Sequence, residues 1–168
     1  MTRSKPIMFL AGALAIPLAA LAVAGCGGGS SGGSASAAAT TSTPSGGSAT
    51  VDSASVGGLG TVLVDSQGRT LYLFQKDKRA KSTCAGECAK AWPPLLTTGK
   101  ASASGSARQD LIGTITRADG TIQVTYNDHP LYRFVNDKKA GDTKGQAVRA
   151  FGAKWYALTR GGRKIGGY

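Results

Sequence analysis

Leu71-Tyr72-Leu73-Phe74-Gln75-Lys76-Asp77-Lys78 returns 60 residues later as Leu131-Tyr132-Arg133-Phe134-Val135-Asn136-Asp137-Lys138. The match extends outward on both sides. Gly60-Thr61-Val62-Leu63-Val64 corresponds to Gly120-Thr121-Ile122-Gln123-Val124, and Ala80 to Ala140. At an offset of 63, Trp92-Pro93-Pro94-Leu95 corresponds to Trp155-Tyr156-Ala157-Leu158. Internal similarity this dense marks two related structural units, about 58–98 and about 118–160.

Each unit reads as β. Thr61–Val64 and Thr121–Tyr126 are β-branched and apolar. Asp65-Ser66-Gln67-Gly68 and Asn127-Asp128-His129-Pro130 carry turn chemistry. Each unit is therefore expected to form a hairpin whose second strand is Leu71–Phe74 or Leu131–Phe134. Strand side chains alternate, so Tyr72 shares a face with Phe74, and Tyr132 with Phe134. Leu111–Thr116 and Lys154–Thr159 read as further strands, and Cys84–Ala91 as a short helical turn. A lone hairpin is marginal in water, so the halves must pack on one another. The expected fold is a small, β-rich antiparallel domain of two pseudo-repeated hairpin units over residues 51–168.

The segment before that domain reads as an address. Arg3 and Lys5 precede an apolar run, Ile7–Ala22, and Val23-Ala24-Gly25-Cys26 closes it. This order is that of a lipoprotein signal, with residues 1–25 removed and Cys26 lipidated as the new N-terminus. A plain secretory signal or a membrane helix is the competing reading. The run is slightly short for a span of about 20 residues and is interrupted by Gly12 and Pro17. Residues 27–50 hold only Gly, Ser, Ala, Thr, Val-free and charge-free sequence with one Pro, too little apolar surface to fold. They read as a flexible tether with a mean reach of about 27 Å. The fold is thus preceded by a signal peptide and a tether, and the expected location is the extracytoplasmic face of a membrane.

Loss of Arg3 and Lys5 takes the net charge from +11 to +9. Outside the cell, the natural partners of such charge are lipid headgroups or an anionic envelope polymer. Ordinary solubility charge is the simpler alternative. The basic residues are scattered and accompany no nucleic-acid-binding motif, so nucleic acid is not expected as a partner. Oligomeric state is not legible in the sequence.

Two copies of Tyr-x-Phe-x-x-Asp flank Thr83-Cys84-Ala85-Gly86-Glu87-Cys88-Ala89-Lys90-Ala91-Trp92-Pro93-Pro94-Leu95, and Gly141-Asp142-Thr143-Lys144-Gly145-Gln146 and Trp155-Tyr156 follow. The chain resembles a family of bacterial secreted-repeat lipoproteins with a Y-x4-D motif, over most of residues 58–160. The resemblance implies export, repeat organisation and the Cys pair, and implies no reaction. One departure is Asp128-His129 in the second turn, where the family more often has Gly and a variable residue. His129 is therefore not expected to carry a family-wide role.

The candidate chemistry is sparse. Cys84 and Cys88, an even pair in an exported domain, are expected to form a structural disulfide worth about 2 kcal/mol. The alternative is a redox pair, or a copper or zinc site, since thiolates at i and i+4 of a helical turn reach one soft ion. Against a metal stand the single His and the lack of Met in residues 26–168. Asp77 and Asp137 are the only repeated carboxylates of the motif. Lysines flank both, and their expected role is to satisfy backbone N–H groups of the following turn rather than catalysis. The aromatic residues Tyr72, Phe74, Tyr132 and Phe134 are expected in the core, with Trp92 and Trp155 the more exposed. Pro93-Pro94 sets an extended segment that favours exposure of Trp92. The chain has no nucleophile elbow, no zinc-protease motif and no phosphate-binding glycine loop. The expected function is a non-enzymatic, lipid-anchored envelope binding module without a cofactor. Redox or metal handling through Cys84 and Cys88 is the alternative, and an enzyme using Asp77 or Asp137 is third.

Overall fold

The computed structural model of the protein describes residues 47–166. The expected signal segment, Cys26 and the tether up to residue 46 lie outside the described residues. The domain is β-rich. Its elements in chain order are β1 (Thr50–Val56), β2 (Gly60–Asp65), β3 (Tyr72–Phe74), α1 (Glu87–Ala91), β4 (Ser102–Ala103), β5 (Ile112–Thr116), β6 (Ile122–Tyr126), β7 (His129–Pro130), β8 (Arg149–Ala150) and β9 (Ala153–Ala157). The described residues form three small sheets, ordered β2-β1-β4, β3-β9-β8 and β5-β6-β7.

The first hairpin turns at Asp65-Ser66-Gln67-Gly68, where Gly68 donates to the Asp65 carbonyl at 2.9 Å and takes a positive φ of 74°. Only glycine adopts that backbone without a Cβ penalty. The second hairpin turns more tightly. Tyr126 faces His129 across Asn127 and Asp128, both at positive φ, the two-residue turn that matches strand twist.

The repeats interlock. Tyr72 and Tyr132 exchange both backbone hydrogen bonds, at 2.8 and 3.0 Å. Beyond that pair, each repeat's Trp segment lies beside the other repeat's Tyr-x-Phe strand. β3 of repeat 1 pairs with β9 of repeat 2, with Tyr72 opposite Ala157 and Phe74 opposite Trp155. In the mirror arrangement Pro94 faces Tyr132, and Arg133 donates to the Pro93 carbonyl at 2.8 Å. Pro93 lacks the N–H that would return a bond to Arg133, and Leu131–Phe134 forms bridges where a regular strand was expected.

Alternation gives the central strands two buried faces. Leu71, Leu73, Leu95, Leu131, Tyr156 and Leu158 pack into a mainly aliphatic core. Tyr72, Phe74, Trp92, Tyr132, Trp155 and Ala157 pack into an aromatic core on the other side. β1 is an addition that the sequence concealed. Thr50–Val56 resembles the preceding tether in composition, yet it pairs with β2 from Val51 to Val56 and with β4 in parallel at Thr50 and Val51. The β1–β4 pair departs from the otherwise antiparallel pairing, which the long connection between the two strands permits.

Candidate functional site

The repeated motif closes across the interface between repeats. The Tyr72 hydroxyl donates to Asp137 Oδ2, and the Tyr132 hydroxyl donates to Asp77 Oδ2, both at 2.6 Å. Each carboxylate also holds its own loop. Asp77 Oδ1 accepts from the Thr83 backbone at 2.7 Å, and Asp137 Oδ1 from the Lys144 backbone at 3.0 Å. One Asp thus ties three things together: the strand it follows, the loop it begins and the opposite repeat's tyrosine. Burial pushes both carboxyls above the usual range, against the opposing hydrogen bonds from Tyr and backbone. Burial and the facing carboxylates also push both tyrosines well above the usual phenol range. At neutral pH the tyrosines are therefore fixed donors.

Behind the clasp lies a four-ring stack. Phe74 lies on Trp155 at 4.1 Å, Trp155 on Trp92 at 4.0 Å, and Trp92 on Phe134 at 4.2 Å between ring centroids. Tyr72 meets Trp92 edge-on at 5.5 Å, and Tyr132 meets Trp155 edge-on at 5.1 Å. The expectation that the tryptophans are the exposed aromatics is corrected here. Trp92 is 1% and Trp155 0% exposed. Each indole is the inner member of the stack, covered by a Phe on its outer face. Gly145 completes the seal, because a Cβ there would come within 2.8 Å of Tyr72 Cζ and 2.9 Å of the Trp92 ring.

The Cys84–Cys88 disulfide spans the turn that leads into α1, and both residues are buried in the aromatic core. In that oxidised form neither sulfur is a thiolate donor, so the copper or zinc alternative requires the reduced pair. No group of three His, Cys, Asp or Glu gathers to hold an ion among the described residues. Next to the pair is Arg117, a residue that pattern reading missed. It donates through Nη2 to the Cys84 carbonyl, and through Nη1 to Ser82 Oγ and Gln123 Oε1, all at 2.7–2.9 Å. Ser82 Oγ lies 2.7 Å from the Tyr132 hydroxyl. The single Tyr132 proton goes to Asp77, so Ser82 supplies the proton of that bond. Arg117 therefore joins the disulfide loop of repeat 1 to the first strand of repeat 2.

With the motif residues committed to the interior, the open chemistry lies elsewhere. Thr159-Arg160-Gly161-Gly162-Arg163-Lys164 forms a tight terminal hairpin, in which Thr159 donates to the Arg163 carbonyl at 2.8 Å. Gly162 sits at φ 73° directly against Asn127, where a Cβ would collide with that side chain. The Tyr126 hydroxyl, buried, donates to the Arg160 carbonyl at 2.7 Å and accepts from the Arg108 backbone at 2.8 Å. One phenol thereby holds two arginine-bearing loops at a fixed separation. Between them opens a depression of about 790 Å³ lined by Arg108, Arg160, Arg163 and Lys164. Of these, Arg108 is paired with Asp110 at 2.5 Å, and Lys164 also lies 5.0 Å from the Tyr156 ring centroid. Arg163 and Lys164 also line a second cavity of about 500 Å³, with Leu73, Phe74, Gln75, Asp77, Asn127 and His129. Burial lowers the His129 pKa, partly offset by Asp128 and Asp77.

The sequence model of a family described as a secreted repeat of unknown function matches the chain twice, at residues 53–96 and 113–159. The two matches take in each Tyr-x-Phe-x-x-Asp copy and its Trp segment, and together cover more than half of the chain. No curated protein and no solved structure matches the chain. The chain belongs to this secreted-repeat family.

Proposed function

We propose that this member of the secreted-repeat family is a lipid-anchored binding module of the cell envelope, tethered through Cys26, that holds an anionic ligand on its terminal hairpin. The observation that carries the reading is the basic depression between Arg108 and Arg160. Three of its four cations are supplied by one hairpin, and a buried tyrosine fixes that hairpin against the rest of the domain. Preorganised cations need little ordering when a ligand arrives, which favours binding. The motif carboxylates and tyrosines are spent on one another, which supports a non-enzymatic role. The family's description as secreted agrees with an extracytoplasmic location, and no helix among the described residues is long and apolar enough to cross a membrane.

The test is retention of the exported chain on an immobilised anionic polymer against a neutral one. Binding to the anionic polymer should weaken with salt, as screened charge contacts do. Arg160→Glu with Arg163→Glu should abolish it, while Lys100→Glu, away from the hairpin, should not. Equal retention of the double variant and the unaltered chain refutes the site. The anchor is tested separately, by membrane fractionation and intact mass of the Cys26→Ser chain.

A further inference from the structure

The depression and its neighbour share a wall, and their chemistry differs. On one side stand Arg108 and Arg160. On the other, beyond Arg163 and Lys164, the second cavity is lined by the end of β3 at Leu73 and Phe74, whose side chains turn into the two cores, and by the polar side chains of Gln75, Asn127 and His129. Among the described residues, the Gln75 side chain and both His129 ring nitrogens make no hydrogen bond to another protein group, and the Asn127 side chain makes only a long one, 3.4 Å, to the Gly162 carbonyl. These groups offer donors and acceptors at once. Asp77 also lines this cavity, its oxygens already taken by Tyr132 and Thr83. A carboxylate there repels an anion, and the arginines opposite attract one. The joined cavities thus select a ligand that is uncharged at one end and negative at the other.

We infer that the ligand is an anionic saccharide: its charged group lies among Arg108, Arg160 and Arg163, and an adjoining uncharged sugar ring fills the cavity walled by Gln75, Asn127 and His129. This rests on the function proposed above. A sugar ring carries hydroxyls that each donate and accept, which suits the mixed polar wall. The cavity volume, about 500 Å³, falls within the range of about 300–1,000 Å³ of small-ligand pockets. A bare phosphate uses only the arginines. A bilayer surface is flat and does not reach a recess lined by Asp77.

The experiment is titration calorimetry of the exported chain with three probes. They are an oligosaccharide of alternating uronic acid and neutral amino sugar, inorganic tripolyphosphate, and anionic lipid vesicles. The oligosaccharide is expected to bind tightest. Gln75→Ala with His129→Ala should weaken the oligosaccharide about tenfold, the worth of one or two neutral hydrogen bonds, and leave tripolyphosphate unchanged. Arg160→Glu with Arg163→Glu should lose both. Thermal unfolding of each variant confirms that it is folded. If the Gln75/His129 variant binds the oligosaccharide as before, or loses both probes equally, the saccharide subsite is wrong while the anion site stands. If the arginine variant still binds both, the anion site fails as well. Tighter binding to vesicles than to the oligosaccharide, or failure to bind the oligosaccharide at all, also overturns the inference.

Discussion

The loops that follow the two Tyr-x-Phe-x-x-Asp strands solve one structural problem with different chemistry. In repeat 1, Asp77 caps the loop at Thr83, and a disulfide and α1 complete it. In repeat 2, Asp137 caps the loop at Lys144, and Asp142 takes the place of the covalent link. Its Oδ2 accepts from the Lys138 and Lys139 backbones at 2.9 and 3.2 Å. The segments that follow the repeats diverge further. Thr97-Thr98-Gly99-Lys100 is a bend with one cation, while Thr159–Lys164 is a hairpin with three. The shared Tyr, Phe, Asp and Trp build the interior, the disulfide of repeat 1 is an unshared addition to it, and the basic hairpin of repeat 2 is an unshared feature that faces solvent. Function is therefore to be sought in the unshared residues that face solvent.

That comparison can be broken at several depths. Truncation of the stack goes deepest. Trp92→Ala and Trp155→Ala should each cost about 3–5 kcal/mol in chemical denaturation, as large-to-small changes of buried aromatics do. The two losses should be similar, because each indole has one Trp, one Phe and one edge-on Tyr neighbour. A small loss at either position would show that the pseudo-symmetry is not energetic.

The disulfide separates the repeats next. Cys84→Ser with Cys88→Ser should lower stability by about 2 kcal/mol, and hydrogen exchange should rise in residues 83–92 while residues 138–146 stay protected. Loss of protection in both loops would mean that the change passes through Trp92 to Gly145, which pack on one another. In the clasp, Tyr72→Phe should cost about 1–3 kcal/mol, because it leaves a buried acceptor unpaired. Tyr132→Phe should cost less, since Asp77 is more exposed than Asp137. A cycle with Asp137→Asn measures the coupling directly, and a coupling of zero removes the clasp as a stabilising unit.

Acid sharpens the same contrast by sign. Hydrogen bonds from Arg69 and Gln67 and the Arg133 charge outweigh burial and hold Asp65 below the usual carboxylate range. Its contribution is complete above the ordinary aspartate value and is lost as pH falls through the lowered one. Asp77 and Asp137 are shifted upward, so their contribution is present below the ordinary value and is lost as pH rises through the raised one. Asp65→Asn should therefore flatten the acid limb of a stability profile, and Asp77→Asn should not. The smallest effect on stability is expected at the basic hairpin, where exposed substitutions stay within about 0.5 kcal/mol and only binding changes.

Much of the fold was legible because it is local. Turn chemistry at Asp65–Gly68 and Asn127-Asp128, and alternation around Tyr72 and Tyr132, are properties of a few adjacent residues. β1 was not legible, since its Ser and Ala residues match the tether and become a strand only beside β2. The exposure of the tryptophans was misjudged because a proline neighbour constrains the backbone and says nothing of what covers the ring.

The sequence by itself determined the repeat, the β character, the proximity of Cys84 and Cys88 and the residues that recur in both halves. Each follows from short spacing along one chain. Only the tertiary structure decided that every Tyr answers the other repeat's Asp, that the two indoles stack, and that Arg108 joins Arg160 around one depression. Those contacts link residues 52–65 positions apart. Their geometry is set by how two hairpins pack their buried faces, which no local pattern encodes.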